Sequence, residues 1–98
     1  MAEFLLLMHG DATHETTLPD WGPYIGGLQA KGAMQGGSAV GGGTTARKAG
    51  AAAPLSTQIV GYIKVAAADL EAAKALLPGN PVYEAGGTVE IRELPVTG

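Results

Sequence analysis

Two stretches of the chain are apolar on both faces when they are read as strands, and they predict the centre of a β-sheet. The first is Glu3–His9, which has no polar residue between its ends. The second is Gln58–Ala66, and one of its faces is formed by the apolar residues Ile59, Ile63 and Val65. Tyr62 alternates with this set and is therefore predicted on the opposite face. Because a strand covered on both sides lies inside a sheet, we expect the two strands to be adjacent and central.

Apolar residues at helical spacing predict two helices. Asp20 is the expected N-cap of the first helix, and the cation and glycine of Lys31-Gly32 are expected to end it. Its apolar stripe consists of Trp21, Tyr24, Ile25 and Leu28. Asp69 is the expected N-cap of the second helix, Leu70–Leu77, which stops before a proline and a glycine. Its stripe consists of Leu70, Ala73, Leu76 and Leu77, so each helix should pack one face against the sheet.

The remaining segments complete a single α+β domain over residues 1–98. Ala33–Val40 is predicted as a weak strand, since its glycines leave little side chain to pack and allow another backbone or a ligand to approach closely. Thr44–Pro54 is expected to form a small hairpin excursion, and Gly79–Gly87 to fold over the sheet edge as turns. Thr88–Arg92 is an alternating strand. The order β-α-β-β-α-β predicts a ferredoxin-like antiparallel sheet with two helices on one face.

The composition limits the partners of this chain. With 98 residues, of which 46% are apolar and 15% charged, the chain can form one two-layer core but has little surface charge to keep a monomer soluble. Part of its surface is therefore expected to be buried in a homodimer. The net charge of −3, with only six Lys and Arg residues, argues against binding to nucleic acid.

Other classes of site and location are excluded by what the sequence lacks. The chain has no cysteine, so it cannot form a disulfide or a thiolate metal site. The apolar run Phe4–Met8 is too short for the core of a signal peptide or for a membrane span. We therefore expect a cytoplasmic protein without membrane contact, and the sequence indicates no cofactor.

The polar residues around the end of the first strand form the cluster with the most chemical promise. They are His9, Asp11, His14 and Glu15. A histidine beside a carboxylate that fixes its tautomer can act as a general base, so His9 and Asp11 are the candidate catalytic pair. Two histidines with carboxylates could also bind a metal, but His14 has no regular spacing to His9, and we predict no metal site. The alternative is an ordinary solvated loop.

Three further residues are candidates for contacting a small molecule. Trp21 could wall an apolar pocket, although it also belongs to the stripe that must cover the sheet. Tyr62 is predicted on the helix-free face, where it would line a pocket or a dimer interface. Arg92 shares that face with Glu90 and would either pair with it or anchor an anionic ligand. Because the last strand lies beside the first in this topology, His9 and Arg92 are expected to converge on one cleft.

Five stretches, taken together and in order, resemble the YCII-related family, including its DGPF branch. They are Phe4–Asp11, the Trp21–Gly32 helix followed by Gly36-Gly37, Gly61-Tyr62-Ile63, Asp69–Ala73 and Glu84–Arg92. The resemblance covers almost the whole chain. It implies a ferredoxin-like protomer that pairs into a dimeric α+β barrel, with the helix-free faces of the two sheets facing each other.

Two features of that family are missing from this chain. The DGPF branch takes its name from an Asp-Gly-Pro-Phe stretch before the third main strand, where this sequence reads Ala53-Pro54-Leu55-Ser56-Thr57. Other members carry a histidine near the start of the first helix, paired with an aspartate and associated with acid–base chemistry. Here the helix begins Asp20-Trp21-Gly22-Pro23-Tyr24, so an activity based on that pair is not carried over.

Two functions are therefore open at the level of the sequence. One is a homodimeric acid–base enzyme with a small-molecule pocket on the helix-free face and His9 as the proton-transfer group. The other is a non-catalytic dimer that binds a metabolite or a partner protein and regulates another process. An enzyme should hold His9 beside Asp11 in a cleft, whereas a binding module should have a pocket without a paired acid and base.

Overall fold

The computed structural model describes residues 1–15 and 18–96, with residues 18 and 19 described through their backbone only. The elements in chain order are the strand β1 Ala2–His9, the helix α1 Leu18–Ala30, the strands β2 Met34–Ala39 and β3 Ile59–Ala67, the short helices α2 Leu70–Lys74 and α3 Pro81–Glu84, and the strand β4 Val89–Leu94. All strand pairings are antiparallel, and the strand order is β2-β3-β1-β4. The chain is therefore a small α+β protein, and the prediction that the first and third strands are adjacent and central is confirmed.

Alternation along β1 and β3 determines which side of the sheet the helices cover. Leu6 and Val65 are completely buried, whereas Leu5 and Leu7 are only half-buried. All three helices contribute buried residues to the core that Leu6 and Val65 share. Successive side chains of a strand point to opposite faces. The helices therefore lie on one side of the sheet, and the other side, which we call the helix-free face, carries Leu5, Leu7, Tyr62, Lys64, Glu90 and Arg92.

The helix α1 begins three residues earlier than its sequence predicts. Because it starts at Leu18, Asp20 lies in the first helical turn, and the expectation that Asp20 is the N-cap is wrong. A carboxylate in that turn still interacts favourably with the positive end of the helix dipole. The C-terminal end is as predicted: Gly32 has a φ of +70°, and the N–H groups of Gly32 and Ala33 donate to the carbonyls of Gln29 and Leu28, each at 3.0 Å. Only a residue that tolerates the left-handed region closes a helix in this way.

Two glycine-to-alanine changes near the C-terminal end of α1 should alter stability in opposite directions. A Cβ at Gly26 meets no atom within 4 Å, so Gly26→Ala should raise the free energy of unfolding by about 0.5–1 kcal/mol through the better helix propensity of alanine. Gly32→Ala should lower it by about 1–2 kcal/mol, because an L side chain is strained at that positive φ. Urea unfolding of both variants measures the two values. Equal shifts of the same sign would contradict the assigned end of the helix.

The second predicted helix is shorter in the structure than in the sequence analysis. Asp69 is its N-cap as expected, accepting a hydrogen bond of 2.8 Å from the Ala72 N–H. The helix α2 ends at Lys74, however, and the chain then tightens into turns that bury Leu77. Leu70 is 52% exposed, so its assignment to the buried stripe is wrong. A helix of five residues has room for little more than one turn of a buried stripe.

The turns predicted between Gly79 and Gly87 contain a short helix instead. Asn80 is completely buried, and its side-chain oxygen accepts a 3.1 Å hydrogen bond from the Tyr83 N–H, which caps α3. The Glu84 carboxylate in turn accepts from the Gly79 N–H at 2.9 Å. An N-capping Asn followed directly by a proline is a known helix start, so the sequence did contain the signal.

The hairpin predicted at Thr44–Pro54 is wrong. Residues 40–58, which we call the arm, contain neither a strand nor a helix, and each of them except Ala52 is solvent-exposed. A 3.2 Å hydrogen bond from the Arg47 guanidinium to the Ala51 carbonyl closes a bend near the middle of the arm. The arm is made mainly of small residues without apolar alternation, so it has no face with which to pair against the sheet.

Candidate functional site

A cavity of about 470 Å³ lies between α1 and the half of the sheet formed by β2 and β3. We call it the α1–β2 cavity. Five elements contribute to its lining: α1 through Trp21 and Ile25, β1 through Met8, β2 through Met34, β3 through Ile63 and α3 through Val82. The cavity therefore lies on the helix side of the sheet, whereas the sequence predicts a pocket on the helix-free face.

Glycines create the floor of this cavity by keeping the sheet bare. A Cβ at Gly37 would lie 2.8 Å from the Tyr62 carbonyl oxygen, and a Cβ at Gly61 would lie 3.3 Å from the terminal carbon of Met8. Both glycines line the cavity, and Gly37 is paired with Ile63 across the ladder. The glycine-rich second strand was predicted to allow close approach by a backbone or a ligand. In the structure the backbone of β3 lies close to Gly37, and Gly37 also lines the cavity.

The lining of the cavity is suited to an uncharged molecule. Among the described residues that form it, none carries a carboxylate, an imidazole or a cationic group. Trp21 provides a polar group on the helix side of the lining. Ser38 and Tyr62 also line the cavity, but they pair with each other in the register of the helix-free face. The Ser38 hydroxyl already donates to the Ala39 carbonyl at 2.8 Å. A charged ligand would lose its hydration without gaining a partner of opposite charge, which is strongly unfavourable. The cavity therefore favours apolar or weakly polar ligands.

Trp21 is held at the cavity wall by its own helix. It packs edge-to-face against Tyr24, with ring centroids 6.3 Å apart and planes inclined by 68°. Tyr24 is buried, and its hydroxyl donates to the Leu76 carbonyl at 2.8 Å, which ties α1 to the turn after α2. Burial raises the pKa of the Tyr24 hydroxyl. Of the two aromatic residues on the predicted stripe, Tyr24 therefore belongs to the core, and Trp21 is available to contact a ligand.

A second cluster of polar side chains lies on the helix-free face. His9 Nε2 lies 3.1 Å from the Glu90 carboxylate, and the same carboxylate accepts a 3.0 Å hydrogen bond from the Arg92 guanidinium. These contacts, that of Arg92 first and that of His9 second, hold the pKa of Glu90 below its ordinary value. The ion pair between Glu90 and Arg92, one of the two readings offered by the sequence, is present.

Asp11 is engaged by a different residue from the one that the sequence analysis proposed. Its two carboxylate oxygens accept hydrogen bonds from the N–H and the hydroxyl of Thr88, at 2.8 and 2.7 Å. These bonds, the backbone one first, hold the pKa of Asp11 below its ordinary value. The hydrogen-bond partner that the structure gives His9 is thus Glu90, and Asp11 instead fastens the first loop to the start of β4.

The sequence-derived site residues are divided between the two sides of the sheet. His9 and Arg92 both contact the Glu90 carboxylate on the helix-free face. Tyr62 lies on the same face, and Leu7 is paired with Tyr62 on one side and with Glu90 on the other. Trp21 lies on the helix side. His14 and Glu15 are exposed in the loop after β1. Within the described part of the chain, no group of three or more His, Asp or Glu side chains is placed to hold a metal ion.

The pKa shift of Asp11 predicts a specific dependence of stability on pH. A carboxyl with a lowered folded-state pKa contributes stability above its unfolded value, here 3.8, and that contribution is lost as the pH falls through the folded-state pKa. Asp11→Asn should therefore lower the thermal unfolding midpoint, and this loss should be largest above pH 3.8. In stronger acid the midpoints of the two proteins should converge. Glu15→Gln, the same kind of change in the same loop, is the control. A difference that stays constant across the acid range would contradict the Asp11–Thr88 contact.

Comparison of the chain with models of protein families, with functionally curated proteins and with solved structures returns no match. None of the helices in the described residues has both the length and the apolar character needed to cross a bilayer.

Proposed function

We propose that this protein is a non-catalytic homodimer that binds a small, uncharged and largely apolar molecule in the α1–β2 cavity. The observation that carries the proposal is the cavity itself, whose volume of about 470 Å³ falls within the usual range for small-molecule sites. A cavity with apolar walls and no acid–base pair is what distinguishes a binding module from an enzyme in the alternatives above.

The shape of the cavity favours a flat molecule. Gly37 and Gly61 leave the floor without side chains, while Met8, Met34 and Trp21 surround the space above it. Methionine sulfur and the indole ring both make favourable contacts with aromatic rings. A small aromatic or alicyclic compound without charge is therefore the class of ligand that fits best.

The homodimer is supported by the helix-free face. Leu5 and Leu7 are half-buried in the centre of that face, and Tyr62 is half-buried opposite Leu7. A sheet covered by helices on one side only has an apolar side to bury elsewhere. We propose that the sheets of two ferredoxin-like protomers pair face to face, as the resemblance to the YCII-related family implies.

Trp21 provides a direct signal for ligand binding, because it is the one tryptophan of the chain and lines the cavity. Titration with 1-aminoanthracene, a neutral aromatic fluorophore, should quench the Trp21 emission and transfer its energy to the bound probe. Ile25→Phe adds volume inside the cavity and should weaken binding by about tenfold, equal to about 1.4 kcal/mol. Gln29→Phe, an exposed position one turn further along α1, is the matched control and should bind as before.

Two results of this titration would contradict the proposal. One is the absence of saturable quenching with 1-aminoanthracene. The other is an equal loss of affinity in Ile25→Phe and Gln29→Phe, which would place the probe elsewhere on the protein. His9→Ala should leave the affinity unchanged, since His9 belongs to the opposite side of the sheet.

The second candidate function is acid–base chemistry at His9, with Glu90 rather than Asp11 as its carboxylate. The observation that favours it is the 3.1 Å contact between His9 and a Glu90 carboxylate that Arg92 holds in place. Such a site would take an anionic ligand on Arg92. Benzoate should then shift the NMR signals of the His9 ring, and this shift should disappear in Arg92→Gln. Unchanged His9 signals at saturating benzoate would eliminate this candidate.

A further inference from the structure

The arm begins and ends beside the α1–β2 cavity. Ala39, which directly precedes the arm, and Val60, two positions after its last residue, both line the cavity. The Val40 N–H donates a 2.9 Å hydrogen bond to the Val60 carbonyl, and the Gly10 N–H donates a 2.8 Å hydrogen bond to the Gln58 carbonyl. Both ends of the arm are therefore fixed at one side of the cavity.

That side of the cavity is apolar and exposed to solvent. Val60 lines the cavity and is 43% exposed, and Gly37 and Ala39 of β2, which also line it, are exposed. Val40, the first residue of the arm, adds a side chain that is 42% exposed. A ligand in the cavity would keep part of its apolar surface in water unless another apolar group covered this side.

The arm carries a short apolar segment without charge. Residues 51–55 read Ala-Ala-Ala-Pro-Leu, and Leu55 is 43% exposed. The two cations of the arm, Arg47 and Lys48, precede this segment, and the Arg47 guanidinium donates to the Ala51 carbonyl within the arm itself. Among the described residues, those that line the cavity carry no charged group either. The segment and the cavity therefore match in chemistry.

The arm is long enough for residues 51–55 to cross the cavity. Val60 lies five positions after Leu55, and five extended residues span up to about 17 Å, whereas a sphere of about 470 Å³ is about 10 Å wide. At the other end of the arm, Gly41-Gly42-Gly43 can act as a hinge, since a Cβ at any of the three meets no atom within 4 Å. Long connections without secondary structure are uncommon in compact domains, and those that occur usually serve a function.

We propose that residues 51–55 close over the α1–β2 cavity as a lid when a neutral ligand is bound, with Leu55 covering the side at which Val60 is exposed. The lid rests on the proposed function, because it acts on the same cavity. Without a ligand, Leu55 would face an unfilled space and gain few contacts there, so the arm remains extended. A bound ligand gives Leu55 an apolar surface to contact, and this difference between the two states favours closure.

A single fluorescent label measures the closure directly. The chain has no cysteine and one tryptophan, so Leu55→Cys labelled with monobromobimane carries one fluorophore, and Trp21 on the cavity wall is its quencher at short range. Naphthalene serves as the ligand, because it is neutral and does not absorb where bimane is excited. Naphthalene should quench the label at position 55. Gln29→Cys with the same label is the control, because it lies on the helix of Trp21 and its emission should stay constant.

Two results with the label would overturn the lid. One is unchanged emission at position 55 at a naphthalene concentration that displaces 1-aminoanthracene from the protein. The other is quenching that increases with protein concentration, which would show that the arm reaches Trp21 of a second copy.

Truncation of Leu55 provides an independent measure. Leu55→Ser should raise the dissociation constant for 1-aminoanthracene by about tenfold, through faster dissociation of the probe. Leu70→Ser is the matched control, because it makes the same change at an exposed leucine of α2 and should leave binding unaltered. An affinity of Leu55→Ser equal to that of the unmodified protein would contradict the lid.

Failure of the lid can be told apart from failure of the proposed function. If 1-aminoanthracene does not bind the unmodified protein in a saturable way, the proposed function falls and the lid falls with it. If the probe binds, and Ile25→Phe weakens this binding while Leu55→Ser does not, only the lid is removed.

Discussion

Leu6→Ala is expected to lower the free energy of unfolding by about 2–5 kcal/mol, the range for deleting a fully buried leucine side chain. Leu6 is completely buried and lies opposite Ile63 and Ile91 in the two neighbouring strands. Removing it leaves a cavity in the layer between the sheet and the helices, where neighbouring elements can move little to fill it. Urea unfolding monitored by circular dichroism measures the loss.

Leu7→Ala is the matched control, because it removes the same atoms from the next residue of the strand. Leu7 is half-buried on the helix-free face, so its truncation should cost less than that of Leu6. The cost should also increase with protein concentration, since the proposed dimer covers Leu7. If Leu7→Ala proved more damaging than Leu6→Ala in dilute protein, the assignment of the two faces would be reversed.

Tyr62→Glu is expected to convert the proposed dimer into a monomer. Tyr62 is half-buried on the helix-free face and lies opposite Leu7. A carboxylate at this position would have to lose its hydration in the interface, and it would lie on the same face as Glu90. We expect the dissociation constant to rise by about 100-fold, equal to about 2.7 kcal/mol.

Light scattering at low micromolar concentration distinguishes the two states. The unmodified protein and the control Tyr62→Phe should have twice the chain mass, and Tyr62→Glu should have the mass of one 9.8 kDa chain. A mass of one chain for the unmodified protein, or an unchanged dimer in Tyr62→Glu, would contradict pairing through this face.

The centre of the sheet could be predicted from the sequence because its signal is local. The alternation through β3 placed Ile63 and Val65 on the helix side and Tyr62 on the other, and the observed burial agrees. The end of α1 was equally predictable, since Gly32 adopts the left-handed conformation that its position suggested. In both cases the residues that determine the structure are close neighbours in the sequence.

The parts that failed depend on residues that are distant in the sequence. Glu90, the partner of His9, is 81 positions away, whereas Asp11 is close in the chain and was chosen for that reason. The α1–β2 cavity is built by five separate elements, of which the sequence indicated two, through the glycines of β2 and through Trp21 as a possible pocket wall. The hairpin predicted at Thr44–Pro54 is absent because the small residues of the arm have no apolar face to pair.

Binding in the α1–β2 cavity can be measured most directly by NMR of protein labelled with ¹³C in the methionine methyl groups. The chain has three methionines: Met8 and Met34 line the cavity, and Met1 is 97% exposed and serves as an internal reference. Titration with 1-aminoanthracene should shift the Met8 and Met34 methyl signals in a saturable way through the ring current of the bound probe, while the Met1 signal stays in place. Saturation that leaves Met8 and Met34 unmoved, or shifts all three signals equally, would show that the cavity is not the binding site.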